Sequence, residues 1–137
     1  MDKVDNAPAT GWVRICASHD VVERARGVRF PLRARFGWSG DVKLTGFVVR
    51  FQGSVYAYLN QCAHVASELD WQPGEFFDHS GLYLMCATHG AVYEPETGLC
   101  TEGPCRGARL RAIQIVEQDG SVFWQPDDVL CASENET

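Results

Sequence analysis

The chain has 137 residues, 45% hydrophobic and 22% charged, which allows one globular domain with a real core and little room for a second. A formal charge of −6 argues against nucleic acid and anionic membrane partners, which call for basic patches, and favours a partner with a basic surface. No run approaches the roughly 18 apolar residues of a membrane span, and Met1-Asp2-Lys3-Val4-Asp5-Asn6 lacks the basic and apolar regions of a secretory signal, so a cytoplasmic protein is expected.

Residues 1–9 are polar and read as a flexible N-terminus. Trp12–Cys16 reads as the first strand, and Val28–Leu32 as a second, with Pro31 suggesting a sheet edge. Phe47–Phe51 and Val55–Leu59 form a predicted hairpin around Gln52-Gly53-Ser54, where Gly53 supplies the positive φ of a tight turn. The second strand delivers the chain to Cys62. Leu82–Met85 is a short strand feeding Cys86, and Val92-Tyr93, Glu94–Gly98 and Leu99-Cys100 read as strand, turn and strand. A last hairpin, Leu110–Glu117 with Val122–Trp124, turns at Gln118-Asp119-Gly120-Ser121. Residues 127–137 read as an acidic flexible tail. No stretch carries helical periodicity over three turns, so an all-β domain over residues 10–126 is predicted.

The chemistry-bearing feature is a pair of short clusters, Cys62-Ala63-His64 and Cys86-Ala87-Thr88-His89. Each offers one thiolate and one imidazole that can reach a common point, and 21 residues separate His64 from Cys86, enough to leave one loop and return with another. Such a set suits either a tetrahedral zinc ion or a [2Fe–2S] cluster with mixed ligands. A finger-type zinc site usually pairs Cys with Cys and His with His, whereas here each half mixes the two. Of the other cysteines, Cys16 sits in an apolar strand and reads as a buried small hydrophobe, and Cys131 lies in the tail with no expected role. His19 and His79 lie in polar surroundings and read as exposed. The six cysteines do not suggest a disulfide framework.

After the second cluster come Gly90-Ala91-Val92-Tyr93, Gly98-Leu99-Cys100 and Gly103-Pro104-Cys105. With the two ligand clusters, this pattern resembles the Rieske iron–sulfur family from about Trp12 to Trp124. The resemblance implies a Rieske-type antiparallel β-sandwich or barrel, with a small cluster-binding subdomain formed by two loops within about residues 60–106. It implies one [2Fe–2S] cluster per chain, with Cys62 and Cys86 on the buried iron and His64 and His89 on the outer one. Gly103-Pro104 matches the proline loop that covers the cluster, and Ala91, Tyr93 and Cys105 join it as surrounding residues. Two thiolates, two neutral imidazoles, two ferric ions and two sulfides sum to zero charge. Such a cluster accepts an electron more readily than a four-thiolate one, at about −150 to +300 mV against about −400 mV for plant-type ferredoxins.

The departures from the family's high-potential branch are also informative. Ser67 and Thr88 stand where those proteins carry a disulfide between the ligand loops, and Ala91 where they place a serine hydroxyl on a sulfide. Losing that donor withdraws stabilisation from the reduced cluster and predicts a potential low in the Rieske range. In the segment between the loops, Trp71, Phe76 and Phe77 are expected to pack the subdomain rather than form a docking surface. Cys100 and Cys105 flank the proline loop and are expected to be reduced thiols.

The resemblance thus implies a soluble one-electron carrier without chemistry of its own, a ferredoxin component of an oxygenase or similar system. A flavin reductase would be its donor and an oxygenase or other protein its acceptor. An oxygenase subunit itself would need a second, mononuclear iron site, for which this sequence offers neither the length nor the histidines. The alternatives are a cluster-based redox or iron sensor and a structural zinc-binding domain.

Overall fold

The computed structural model describes residues 11–35, 41–63, 67–88 and 90–133. Among the described residues, ten strands form three antiparallel sheets and the only helix is a single 3-10 turn at Ser18–Asp20. A four-stranded sheet occupies the middle: β2 (Val28–Arg35), β3 (Asp41–Phe51), β4 (Ser54–Leu59) and β10 (Leu130–Ala132), in the order β10-β2-β3-β4. On one side lie β1 (Val13–Ala17), β8 (Ile115–Gln118) and β9 (Ser121–Trp124), in the order β1-β9-β8. On the other lie β5 (Leu84–Met85), β6 (Val92–Tyr93) and β7 (Cys100–Glu102), the small sheet that carries the loop of the second candidate ligand cluster.

The middle sheet is buried on both faces, which explains why β3 reads as an unbroken apolar run rather than an alternating one. Successive side chains still point to opposite faces. Phe47, Val49 and Tyr58 join one core, with Leu69, Phe76, Cys62, Cys86 and Tyr93 among its members. Val48, Ala57 and Leu59 face the other, with Phe30, Leu32, Val122 and Trp124. The outer edge of β4 is covered by the approach to β8, with Leu59 N–H donating to the Arg111 carbonyl and Ile113 N–H to the Ala57 carbonyl. The sheets are thereby linked into a curled, barrel-like sandwich.

Both predicted tight turns are present. Gln52 and Gly53 have φ of 53° and 87°, and Asp119 and Gly120 of 53° and 82°, the paired positive values of a two-residue hairpin turn. Three local expectations are corrected. β2 runs on to Arg35 and is an interior strand where β10 joins it; Pro31 falls just outside that stretch, where a missing N–H breaks no ladder. The tail read as loose from residue 127 contains β10, because Leu130, 3% exposed, completes the core below β2. β3 begins at Asp41 rather than Phe47, since pairing to β2 continues through Asp41–Gly46, where only Val42 and Leu44 are apolar side chains.

Candidate metal centre

The loop of the first candidate ligand cluster leaves β4 at Asn60, whose backbone N–H donates to the Thr45 carbonyl on β3. The Asn60 side chain is buried, and its Oδ1 accepts the Leu69 N–H at 2.8 Å while its amide donates to Asp70 at 3.1 Å. The Asp70 side chain is 1% exposed; it also accepts the Gly74 N–H at 3.0 Å and Arg29 Nη1 at 2.9 Å. Burial alone would raise the Asp70 pKa, but the bonds from Asn60, Gly74 and Arg29 outweigh it and hold the carboxyl below its ordinary range. Arg29 reaches Glu68 as well, at 3.0 Å. This network anchors both ends of the loop to β2 and β3, and Cys62 N–H closes it by donating to the Ser67 carbonyl.

The second loop is pinned at its base by β5 and β6. Cys86 N–H donates to the Ala91 carbonyl at 2.8 Å, and Gly90 N–H to the Cys86 carbonyl at 2.9 Å. The segment between the loops is seated on β3 by Phe76, fully buried and stacked on Phe47 with centroids 3.9 Å apart. Phe77 stacks more loosely on Phe51, at 6.3 Å. Trp71 departs from expectation: it is 57% exposed, at the rim of a groove of about 510 Å³ beside Met85 and Ala87.

The two loops meet. Ala87 N–H donates to the Leu69 carbonyl at 2.9 Å, and Ser67 Oγ lies 3.4 Å from Thr88 Oγ1. The positions matched to a disulfide in high-potential relatives are therefore neighbours here, joined by hydroxyls instead of sulfurs. Cys62 and Cys86 are 5% and 0% exposed. The candidate ligands His64 and His89 lie outside the described residues, and among the described residues no three His, Cys, Asp or Glu side chains converge.

Beside Cys62 stands Tyr93, and beside Tyr93 stands Cys105. Tyr93 Oη lies 3.2 Å from Cys62 Sγ, accepts the Ala63 N–H at 3.0 Å, and lies 3.2 Å from Cys105 Sγ. Burial, with added contributions from Cys105 and Cys62, pushes the Tyr93 phenol far above its ordinary pKa, so it remains a proton donor. Cys105 Sγ donates in turn to Cys100 Sγ at 3.0 Å, and the cysteines form no disulfide. Gly103 packs on Ala91: its φ is +106°, and a Cβ there would stand 2.9 Å from Ala91 Cα. Pro104 is exposed, between Gly103 and buried Cys105. Two buried sulfurs on loops tied to one another, one of them facing a neutral hydroxyl donor, suit a thiolate-bound group whose charge changes by one. His19 and His79 are exposed, as expected, and Cys16 is buried, which raises its pKa to about 11.

The sequence pattern of the Rieske [2Fe-2S] domain matches residues 11–118. The chain belongs to the Rieske [2Fe–2S] domain family. No curated protein matches it. Among solved structures, this Rieske domain is similar to the ferredoxin of carbazole 1,9a-dioxygenase from Nocardioides aromaticivorans IC177, at 25% identity and TM-score 0.61, over 86% of this chain and 100% of that one. A chain from a complex of reduced oxygenase and oxidized ferredoxin in carbazole 1,9a-dioxygenase matches at 22% identity and TM-score 0.63, over 85% of this chain and 94% of that one. The terminal oxygenase from Novosphingobium sp. KA1 matches at 19% identity and TM-score 0.63, over 92% of this chain but 31% of its own. As a Rieske domain the chain carries a [2Fe–2S] cluster with two Cys and two His ligands.

Proposed function

We propose that this Rieske domain is a one-electron carrier, with Cys62 and Cys86 on the inner iron of its cluster and His64 and His89 on the outer iron. The bound cluster supplies reversible one-electron chemistry; the chain's own residues fix the two loops, exclude water from the sulfurs and hold the Tyr93 proton on Cys62 Sγ. The observation that carries the ligand assignment is the meeting of the two loops, with both cysteines buried at their bases. The carrier role is supported by the likeness to a dioxygenase ferredoxin over that protein's whole length.

By this reading the donor is a flavin reductase and the acceptor an oxygenase or similar enzyme. The net charge of −6 favours basic rims on both. Ala91 brings no hydroxyl to the sulfides, which supports a potential low in the Rieske range. We place the protein in the cytoplasm, where Cys16, Cys100, Cys105 and Cys131 would persist as thiols; no described helix is long and apolar enough to cross a membrane. The test is a redox titration with exchange between proteins. The purified protein should take up one electron per chain, return it to a Rieske oxygenase within a catalytic turnover, and keep its visible spectrum through repeated cycles. A cluster that reduces but passes its electron to no oxygenase or other protein acceptor would overturn the carrier role.

A further inference from the structure

Cys100 and Cys105 stand 3.0 Å apart, Sγ to Sγ, and electron transfer through the cluster uses neither. A disulfide bond is about 2.0 Å long, so closing one requires a movement of roughly an ångström. The backbone already holds the pair together: Cys100 N–H donates to the Ala108 carbonyl, Gly107 N–H to the Cys100 carbonyl and Ala108 N–H to the Cys105 carbonyl. Access is asymmetric. Cys100, 1% exposed, lies in the core, whereas Cys105, 8% exposed, is flanked on both sides by the exposed residues of the turn from Glu102 to Arg109. Opening that turn presents Cys105 to solvent first. Cys105 also touches Tyr93 Oη, which touches Cys62 Sγ, so a continuous line of polar contacts runs from the thiol pair to a candidate iron ligand.

We propose that Cys100 and Cys105 are a second redox site, a dithiol that closes into a disulfide by exchange with small-molecule disulfides and acts on the iron–sulfur centre through Tyr93. The action on the centre rests on the ligand role proposed for Cys62; closure of the disulfide does not. In the exchange, the Cys105 thiolate attacks one sulfur of a small disulfide such as oxidised glutathione. A mixed disulfide forms, the original S–S bond breaks, and one glutathione leaves, taking up the proton that Cys105 released. Cys100 then loses its proton, bonds to Cys105 and expels the second glutathione. The protein gives up two electrons, and the small disulfide takes both.

The effect on the centre follows from the order of donors. A Cys62 thiolate is the strongest acceptor near Tyr93 and takes the phenol proton; the Cys100 S–H donates to the Glu102 carbonyl at 3.2 Å, and the Cys105 S–H is shared between Cys100 Sγ at 3.0 Å and the phenol oxygen at 3.2 Å, where it strengthens the phenol's bond to Cys62. A disulfide has no proton to donate. Closing it weakens the hydrogen bond on Cys62 and favours the oxidised cluster.

The experiment equilibrates the anaerobic holoprotein in glutathione buffers of graded ratio, alkylates the thiols, maps the peptides and records the cluster's midpoint potential in the same samples. Cys100 and Cys105 should escape alkylation together as the buffer becomes oxidising, and recover together with dithiothreitol. In Cys100→Ser, Cys105 should stop at a glutathione adduct. The midpoint should be lower in the disulfide form, and the difference should vanish in Tyr93→Phe. Full alkylation of both residues at the most oxidising ratio, or two independent glutathione adducts, would overturn the redox site, and an equal or higher midpoint would overturn its action on the centre. Iron and labile sulfide are measured alongside; their absence would strike the carrier reading, while the thiol count would still decide the fate of the pair.

Discussion

Tyr93→Phe removes one hydroxyl and keeps the ring that fills the core below the second ligand loop. In the native protein that hydroxyl lies 3.2 Å from Cys62 Sγ and accepts the Ala63 N–H at 3.0 Å. A hydrogen bond to a charged group contributes about 1.5–3 kcal/mol. Only its change on reduction affects the potential, and the added electron is shared among irons, sulfides and thiolates. If about a third of the bond's strength changes, the reduced form loses roughly 0.5–1 kcal/mol, or about 20–45 mV for a one-electron couple. Protein-film voltammetry should therefore find the Tyr93→Phe midpoint lower by that amount, with iron content unchanged. The same variant leaves the Ala63 N–H without its acceptor, so its thermal unfolding midpoint should fall as well, by an amount equivalent to about 1–2 kcal/mol. An unchanged or raised potential in a fully loaded variant would refute the donor role of Tyr93.

Ala91→Ser places a hydroxyl where high-potential relatives carry one, and its midpoint should rise; voltammetry showing no rise would remove the argument for a low potential. Gly103→Ala sets a Cβ 2.9 Å from Ala91 Cα at a φ of +106°. The proline loop must then shift, and a loss of about 1–3 kcal/mol should appear as a lower denaturation midpoint and faster cluster loss in chelator. Asp70→Asn removes the buried charge opposite Arg29, and denaturation at neutral pH should show a loss of about 2–4 kcal/mol. Because the native Asp70 pKa is depressed, its contribution is complete above the unfolded value of about 3.9. It is lost as the pH falls through the lower native value, so the gap between wild type and variant should hold from pH 7 to about 5 and narrow only in stronger acid.

What could be read from the sequence was what local chemistry dictates. Gln52-Gly53 and Asp119-Gly120 announced their turns because positive φ at adjacent positions leaves few other residue choices. The candidate ligand clusters were legible because their spacing is short, and the meeting of Ser67 with Thr88 supports the alignment that matched them. The loop clamp was not legible. Asp70 draws its arginine from β2, 41 residues away, and no periodicity links Asn60, Asp70 and Arg29. The nearest signal was Asn60, two residues before the first candidate ligand cluster. β10 was missed for a related reason: one buried leucine in an acidic segment is a tertiary requirement, invisible to composition. Trp71 was misjudged because an aromatic residue in a short irregular segment is packed or exposed according to which neighbour claims the site, and Phe76 claims the place on Phe47.

The central claim is that two cysteines and two histidines on paired loops hold two irons and two sulfides. Metal and acid-labile sulfide analysis of the purified protein, with electron paramagnetic resonance of the dithionite-reduced form, tests it most directly. The account predicts about two irons and two sulfides per chain, a reduced spectrum characteristic of mixed nitrogen and sulfur ligation, and loss of that spectrum in His89→Ala. Stoichiometric zinc without iron or sulfide after anaerobic reconstitution, or a normal spectrum in His89→Ala, would contradict it.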